Sequence, residues 1–104
     1  MDIPAGSYAV IFTNRLKPEH PGYEEAAQQM MDMVEKQPGF LGAVSLREGL
    51  DGATISYWES KEAIAAWRDV PKHQQAQENG HSQWYDHYDL QVCKVEGARG
   101  FSAN

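Results

Sequence analysis

The order in which strand-like and helix-like patterns follow one another predicts an α+β fold, with helices laid on one face of a four-stranded antiparallel sheet. Three observations carry that expectation. Residues 8–16 and 88–95 alternate with a period of two, as half-buried strands do, and residues 22–37 repeat apolar side chains at helical spacing. The segment from Ile55 to Tyr85, which holds all three tryptophans, passes from a β-branched and aromatic run into a helical pattern through Ser60, a good helix N-cap.

In the first strand Tyr8, Val10, Phe12, Asn14 and Leu16 fall on one face, and Ala9, Ile11, Thr13 and Arg15 on the other. The amide of Asn14 is thereby aimed along an aromatic and apolar surface near a strand end. Pro18 and Pro21 mark a loop. The first helix follows, with Tyr23, Ala26, Ala27, Met30, Met33 and Val34 on its apolar side and Glu24, Glu25, Gln28, Gln29, Asp32 and Glu35 opposite, and Pro38-Gly39 stops it. Residues 40–47 and 53–58 are expected as a hairpin through the glycine-bearing segment 48–52. After Ser60, the spacing of Ala63, Ile64, Trp67 and Val70 predicts a second helix, broken or kinked near Val70 because Pro71 suits the first turn of a new segment. Asn79-Gly80 is expected to stop it. The resulting order, β-α-β-β-α-β, is the split βαβ or ferredoxin-like arrangement. Its second sheet face has no cover within a chain of 104 residues, so a second subunit packed sheet to sheet is expected.

One domain is expected, with a core over about residues 7–96 and tails at 1–6 and 97–104. A formal net charge of −6, with nine Lys and Arg scattered along the chain, argues against nucleic acid or an anionic membrane as a partner. The opening Met1-Asp2-Ile3-Pro4 has neither a basic region nor an apolar core, and no apolar run approaches the roughly 20 residues of a membrane span, which predicts a cytoplasmic protein. The single Cys93 falls in a strand, where a buried and inert thiol is expected, and zinc held by clustered cysteines is excluded. His20, His81 and His87 lack metal-ligand spacing, and no phosphate loop or nucleophile motif is present.

Several local sequences, taken together and in order, resemble the antibiotic biosynthesis monooxygenase family of small dimeric α+β barrels. They are Thr13-Asn14-Arg15-Leu16, Gln37-Pro38-Gly39-Phe40-Leu41-Gly42, Ser56-Tyr57-Trp58 with Ser60 and Ala63, Ala66-Trp67, and His73 with Ala76-Gln77 before Trp84-Tyr85. The resemblance covers about residues 8–96. It implies a homodimer and either oxygenation of phenolic or quinol-like substrates without metal or cofactor or haem binding and degradation, and the same scaffold also suits a non-catalytic small-ligand-binding or stress-associated module. In the haem-degrading branch an iron-ligating histidine lies ten residues beyond the helix tryptophan. Asn14 and Trp67 fit that pattern, but the tenth residue after Trp67 is Gln77, and His73 is one helical turn early, displaced by about 6 Å.

The oxygenase resemblance therefore leads. Such a reaction requires a proton acceptor, hydrogen-bond donors for developing oxyanions and a dry aromatic pocket. His73 is the expected base, Asn14 the residue that orients a substrate oxygen, and Trp67 a wall of the pocket. Phe12, Trp58, Gln77 and Trp84 are expected to contact the substrate, with no cofactor and no metal. The bland alternatives are a helix-end histidine, a strand-end amide and a core tryptophan. Trp58 and Tyr57 point to opposite faces of their strand, so only one can lie beneath the helices. Trp84, Tyr85, His87 and Tyr88 form an aromatic cluster suited to packing, an interface or a pocket rim.

Overall fold

A computed structural model describes residues 2–103, apart from the side chains of His81 and Ser82. Four strands, β1 (Tyr8–Leu16), β2 (Phe40–Glu48), β3 (Asp51–Trp58) and β4 (Tyr85–Lys94), form one antiparallel sheet in the order β2-β3-β1-β4. Helix α1 (Tyr23–Val34) connects β1 to β2, and α2 (Lys61–Arg68) and α3 (Pro71–Asn79) connect β3 to β4. The element order is thus the expected one, with the second helix divided in two.

The division has the cause that the sequence indicates. Ser60 caps α2, its hydroxyl accepting from the Ala63 amide at 3.1 Å. Val70 is extended, and Pro71 opens α3. Gly80, however, does not stop the chain's helical course. It lies in the right-handed region, and a π-type turn over Gly80–Trp84 carries α3 directly into β4. A Cβ on Gly80 would meet the Tyr85 ring at 2.7 Å, so the residue serves close approach rather than termination. Strand β4 accordingly begins at Tyr85, paired with Leu16 across an irregularity in the β1–β4 register. The β2–β3 turn is also tighter than expected, since Glu48 pairs with Asp51.

The alternation on β1 settles which face the helices cover. Val10 packs against the buried core of Val34, Trp58 and Trp67, together with Phe40 and Ile64. The face bearing Tyr8, Val10, Phe12, Asn14 and Leu16 is therefore the helix-facing one. Trp58, only 1 % exposed, shares it, and Tyr57 lies on the other. That second face presents Ile11, Ile55 and Tyr57, with Val44 and Leu46 exposed at its edge. Cys93 also lies there, opposite Ala9, and is exposed. The expectation of a buried thiol is corrected: strand position predicts burial only where the face is covered from within the chain. Among the described residues no helix is long and apolar enough to cross a membrane.

Candidate functional site

Strand register arranges the helix-facing side of the sheet in rows, each with one residue from every strand. The row Ala43–Ser56–Val10–Val92 adjoins the core. Next comes Ser45–Thr54–Phe12–Leu90, then Arg47–Gly52–Asn14–Tyr88 at the end beside the β2–β3 turn. The middle row is incompletely covered. Ser45, hydrogen-bonded to Thr54 at 2.9 Å, is exposed, and Leu90 is 52 % exposed, as is Val92 of the adjoining row at 49 %. From Val10 to Asn14 this surface runs about 13 Å at ~3.3 Å per residue, enough for a planar compound of two or three rings.

The last row is a polar centre. Asn14 is buried, and its Oδ1 accepts from Arg47 Nη2 at 2.8 Å. The same Nη2 donates to the Tyr23 hydroxyl at 2.9 Å, and Nη1 donates to the Leu50 carbonyl at 2.9 Å. Gly52 makes this reach possible: a Cβ there would stand 2.5 Å from the guanidinium carbon. Arg47 also lies over the Tyr23 ring, 5.2 Å from its centroid. Rings border the centre on its helix side, while Arg47 stays exposed. Tyr23 meets Trp84 and Tyr85 edge-on at 5.7 and 6.0 Å, while Phe12 meets Tyr85 at 5.5 Å and Tyr88 at 5.3 Å. Trp84 Nε1 donates to the Pro21 carbonyl at 2.9 Å, tying the π turn to the start of α1. Burial, reinforced by neighbouring Tyr23, raises the Tyr85 hydroxyl above its ordinary 10.0 despite the opposing charge of Arg47. Tyr85 is therefore a neutral hydrogen-bond donor, not a base. Beside the turn, an open depression of about 420 Å³ is lined by Arg47 and Gly52 with Leu46, Glu48, Asp51 and Ala53.

His73 lies apart from this centre, against Trp67 of the core. Its ring stacks on Trp67, with centroids 4.2 Å apart and planes 17° from parallel. Its Nδ1 lies 3.0 Å from the Trp67 carbonyl oxygen. A carbonyl only accepts, so Nδ1 carries the proton and Nε2 of the neutral ring keeps its lone pair. Burial lowers the His73 pKa from 6.5, partly countered by that hydrogen bond. The ring is a neutral base at physiological pH.

The structure thus divides the residues singled out from sequence. Asn14, Phe12 and Trp84 meet in the polar and aromatic centre, whereas Trp67, Trp58 and His73 lie in or against the core. Trp58 is fully packed, with Nε1 donating to Ser56 at 3.0 Å. Gln77 lies one turn beyond His73 on α3 and is exposed. Of the histidines given no metal role, His20 contacts the Tyr23 ring, His87 pairs with neighbouring Asp86, and the side chain of His81 is outside the described residues. Among the described residues no three His, Cys, Asp or Glu side chains converge to hold a metal ion. Sequence reasoning missed Arg47, Gly52 and Tyr23 as parts of one centre. The centre depends on the tight turn after Glu48, seen only in the structure, which fixes Arg47 opposite Gly52 and so beside Asn14.

Comparison with known proteins bears on this arrangement. The sequence pattern of the family described as antibiotic biosynthesis monooxygenase matches residues 7–79. An uncharacterized protein of Bacillus subtilis (strain 168), YqjZ, is 45 % identical over 98 residues, covering 93 % of this chain and 86 % of that protein. Among solved structures, SnoaB, a cofactor-independent oxygenase from Streptomyces nogalater, superposes with a TM-score of 0.74 over 93 % of this chain and 97 % of its own, at 15 % identity. Rv0793 from Mycobacterium tuberculosis gives a TM-score of 0.75 over 94 % of this chain and 99 % of its own, at 14 % identity. These two likenesses are of fold.

Proposed function

The chain belongs to the antibiotic biosynthesis monooxygenase family, and from that membership we propose that it oxygenates a small aromatic phenol, quinol or anthrone-like compound with O₂ alone. The observation that carries the reading is the state of His73. Its Nδ1–H is committed to the Trp67 carbonyl, Nε2 is left as an acceptor, and burial disfavours the charged ring. A proton acceptor in that state suits a reaction in which the substrate, once deprotonated, is itself the reductant of O₂.

For an anthrone-like substrate, His73 Nε2 takes a proton from the methylene carbon. The carbanion passes electrons to O₂, a carbon–oxygen bond forms, and the peroxide loses water to leave a carbonyl. The methylene group and O₂ thereby become a carbonyl and one water, with four electrons moved from carbon to oxygen. Asn14 and the tyrosine hydroxyls around it supply hydrogen bonds for oxygen atoms of the substrate, and Phe12 is the floor between that centre and the base. Trp67 holds the imidazole by stacking, Trp58 supports Trp67 from the core, and Trp84 closes the rim against Tyr23. In this reading Gln77, exposed one turn from His73, contacts the substrate. The active form in this reading is a homodimer, its second subunit covering the face of Ile11, Ile55 and Tyr57.

Haem degradation is disfavoured, because the tenth residue after Trp67 is the exposed Gln77, and a glutamine amide is a poor iron ligand. Oxygen-electrode measurements on the metal-stripped protein against a panel of quinols and anthrones test the proposal, with uptake of one O₂ per substrate oxidised as the expected result. Stoichiometric binding of those compounds without O₂ uptake would overturn it and leave a ligand-binding role.

A further inference from the structure

The base at His73 makes no use of Arg47, yet the sheet is built to hold that guanidinium beside the β2–β3 turn. Arg47 has five N–H donors. Three are engaged: one on Nη1 with the Leu50 carbonyl, and both on Nη2, with Asn14 Oδ1 and the Tyr23 hydroxyl. The second Nη1–H and the Nε–H remain, and they lie on different edges of the guanidinium plane. That placement suits acceptors of one oxygen each rather than the paired oxygens of a carboxylate, which require two donors on one edge.

The charge is also unspent. Among the described residues no carboxylate forms an ion pair with Arg47. The nearest acids on the turn, Glu48 and Asp51, alternate to the other sheet face, where Asp51 is held by Arg15 at 2.9 Å. The other titratable groups around it, Tyr23 from α1 and Tyr85 and Tyr88 from β4, are hydroxyls. Arg47 thus stands beside aromatic rings without a carboxylate partner, on a chain of net charge −6.

We infer that the row Arg47–Gly52–Asn14–Tyr88 binds the single anionic oxygen of a planar aromatic phenolate, with the ring directed along Phe12. The inference rests on the oxygenase reading for the class of substrate. It goes further in making Arg47 the residue that selects an ionised oxygen and fixes which end of the molecule points away from His73. Gly52 is a positioning residue, since its missing side chain lets the guanidinium cross β3 to Asn14.

4-Nitrophenol is a direct probe, because its phenol and phenolate absorb at different wavelengths. Added to excess wild-type protein below its own pKa, it should show an increased phenolate fraction. Arg47→Gln should weaken phenolate binding about 10- to 100-fold, the range expected when a charge-assisted hydrogen bond is lost, and Arg47→Lys should restore part of it. Gly52→Ala, which removes no ligand contact, should also weaken it. 4-Nitroanisole, with the same ring and no ionisable oxygen, should compete poorly. An unchanged phenolate fraction with wild-type protein, equal binding by Arg47→Gln with native near-ultraviolet circular dichroism, or equal competition by 4-nitroanisole would each overturn the inference. The two proposals fail separately. Phenolate binding lost in Arg47→Gln, with no O₂ uptake on any quinol, removes the oxygenase and leaves the anion site, whereas O₂ uptake unaffected by Arg47→Gln removes the anion site and leaves the oxygenase.

Discussion

Arg47 and Asn14 sit on strands that do not touch each other, yet their side chains meet at 2.8 Å over the backbone of Gly52. Arg47 and Asn14 are polar, and Gly52 between them has no side chain. Such a contact ties the β2–β3 turn to the centre of the sheet and joins the hydrogen bonding of Asn14 to that of Tyr23.

Gly52→Ala should separate this relationship from stability. The new methyl group meets only the far end of a flexible side chain, so the fold should lose less than about 1 kcal/mol while Arg47 is displaced from Asn14. Asn14→Ala should cost about 1–2 kcal/mol, because it strips a buried acceptor from a charged donor that keeps its other partners. Urea unfolding gives both values, and the side-chain amide resonance of Asn14 reports the displacement. An unmoved resonance in Gly52→Ala would show that the guanidinium reaches Asn14 by another route.

Gly80→Ala should behave in the opposite way. Its methyl group would press on the Tyr85 ring, which is packed against Phe12, Tyr23 and Tyr88. Overpacking of this kind costs about 1–3 kcal/mol. The near-ultraviolet circular dichroism, dominated by such ring contacts, should change with the melting temperature. A variant with wild-type stability and spectrum would mean that the π turn yields easily.

Much of the scaffold was legible because it depends on local rules. The period of β1, the Ser60 cap and the break at Val70-Pro71 each need only neighbouring residues, and each has its expected consequence. What the sequence withheld depends on partners far along the chain. Alternation places Tyr57 and Trp58 on opposite faces without saying which is covered, and the answer comes from Trp58 sharing a core with Val34 and Trp67. Gly80 looks like a helix stop until Tyr85 is seen against it, and Cys93 looks buried until the open face is identified. The Arg47 centre required the register of β2, β3 and β1 together with the first turn of α1. The sequence pattern offered no means of joining these.

The open sheet face carries the next prediction. Ile11, Ile55 and Tyr57 continue into Val44 and Leu46, the last 69 % exposed, and a face of this composition is normally covered. Light scattering should give twice the 11.7 kDa of one chain at micromolar concentration. Leu46→Glu, at a position the single chain leaves in solvent, should weaken the dimer without unfolding the subunit. A mass near that of one chain for the wild type would remove the homodimer.

His73 and Trp67 allow the sharpest separation of chemistry from packing. His73→Ala should lower kcat by about 10²- to 10⁴-fold, the usual contribution of a positioned base, with little change in melting temperature. Trp67→Ala should cost on the order of 3–5 kcal/mol, since it empties a buried position beside Val34 and Trp58 and removes the ring on which the imidazole rests. The pH dependence follows from the direction of the His73 shift. Its folded pKa is depressed below 6.5, so the unfolded chain binds the proton more readily. The associated stability is complete above 6.5 and is lost as pH falls through the folded value. The base is likewise active above that value, so kcat/KM should rise with pH to a plateau already reached at neutrality, with its inflection below 6.5. The group from which the base takes its proton must have a pKa above the assay pH, because one already ionised there would not need the base. For such a substrate, an inflection above 6.5, or equal turnover by His73→Ala, would exclude the imidazole as the proton acceptor and leave its stacking on Trp67 as a structural contact.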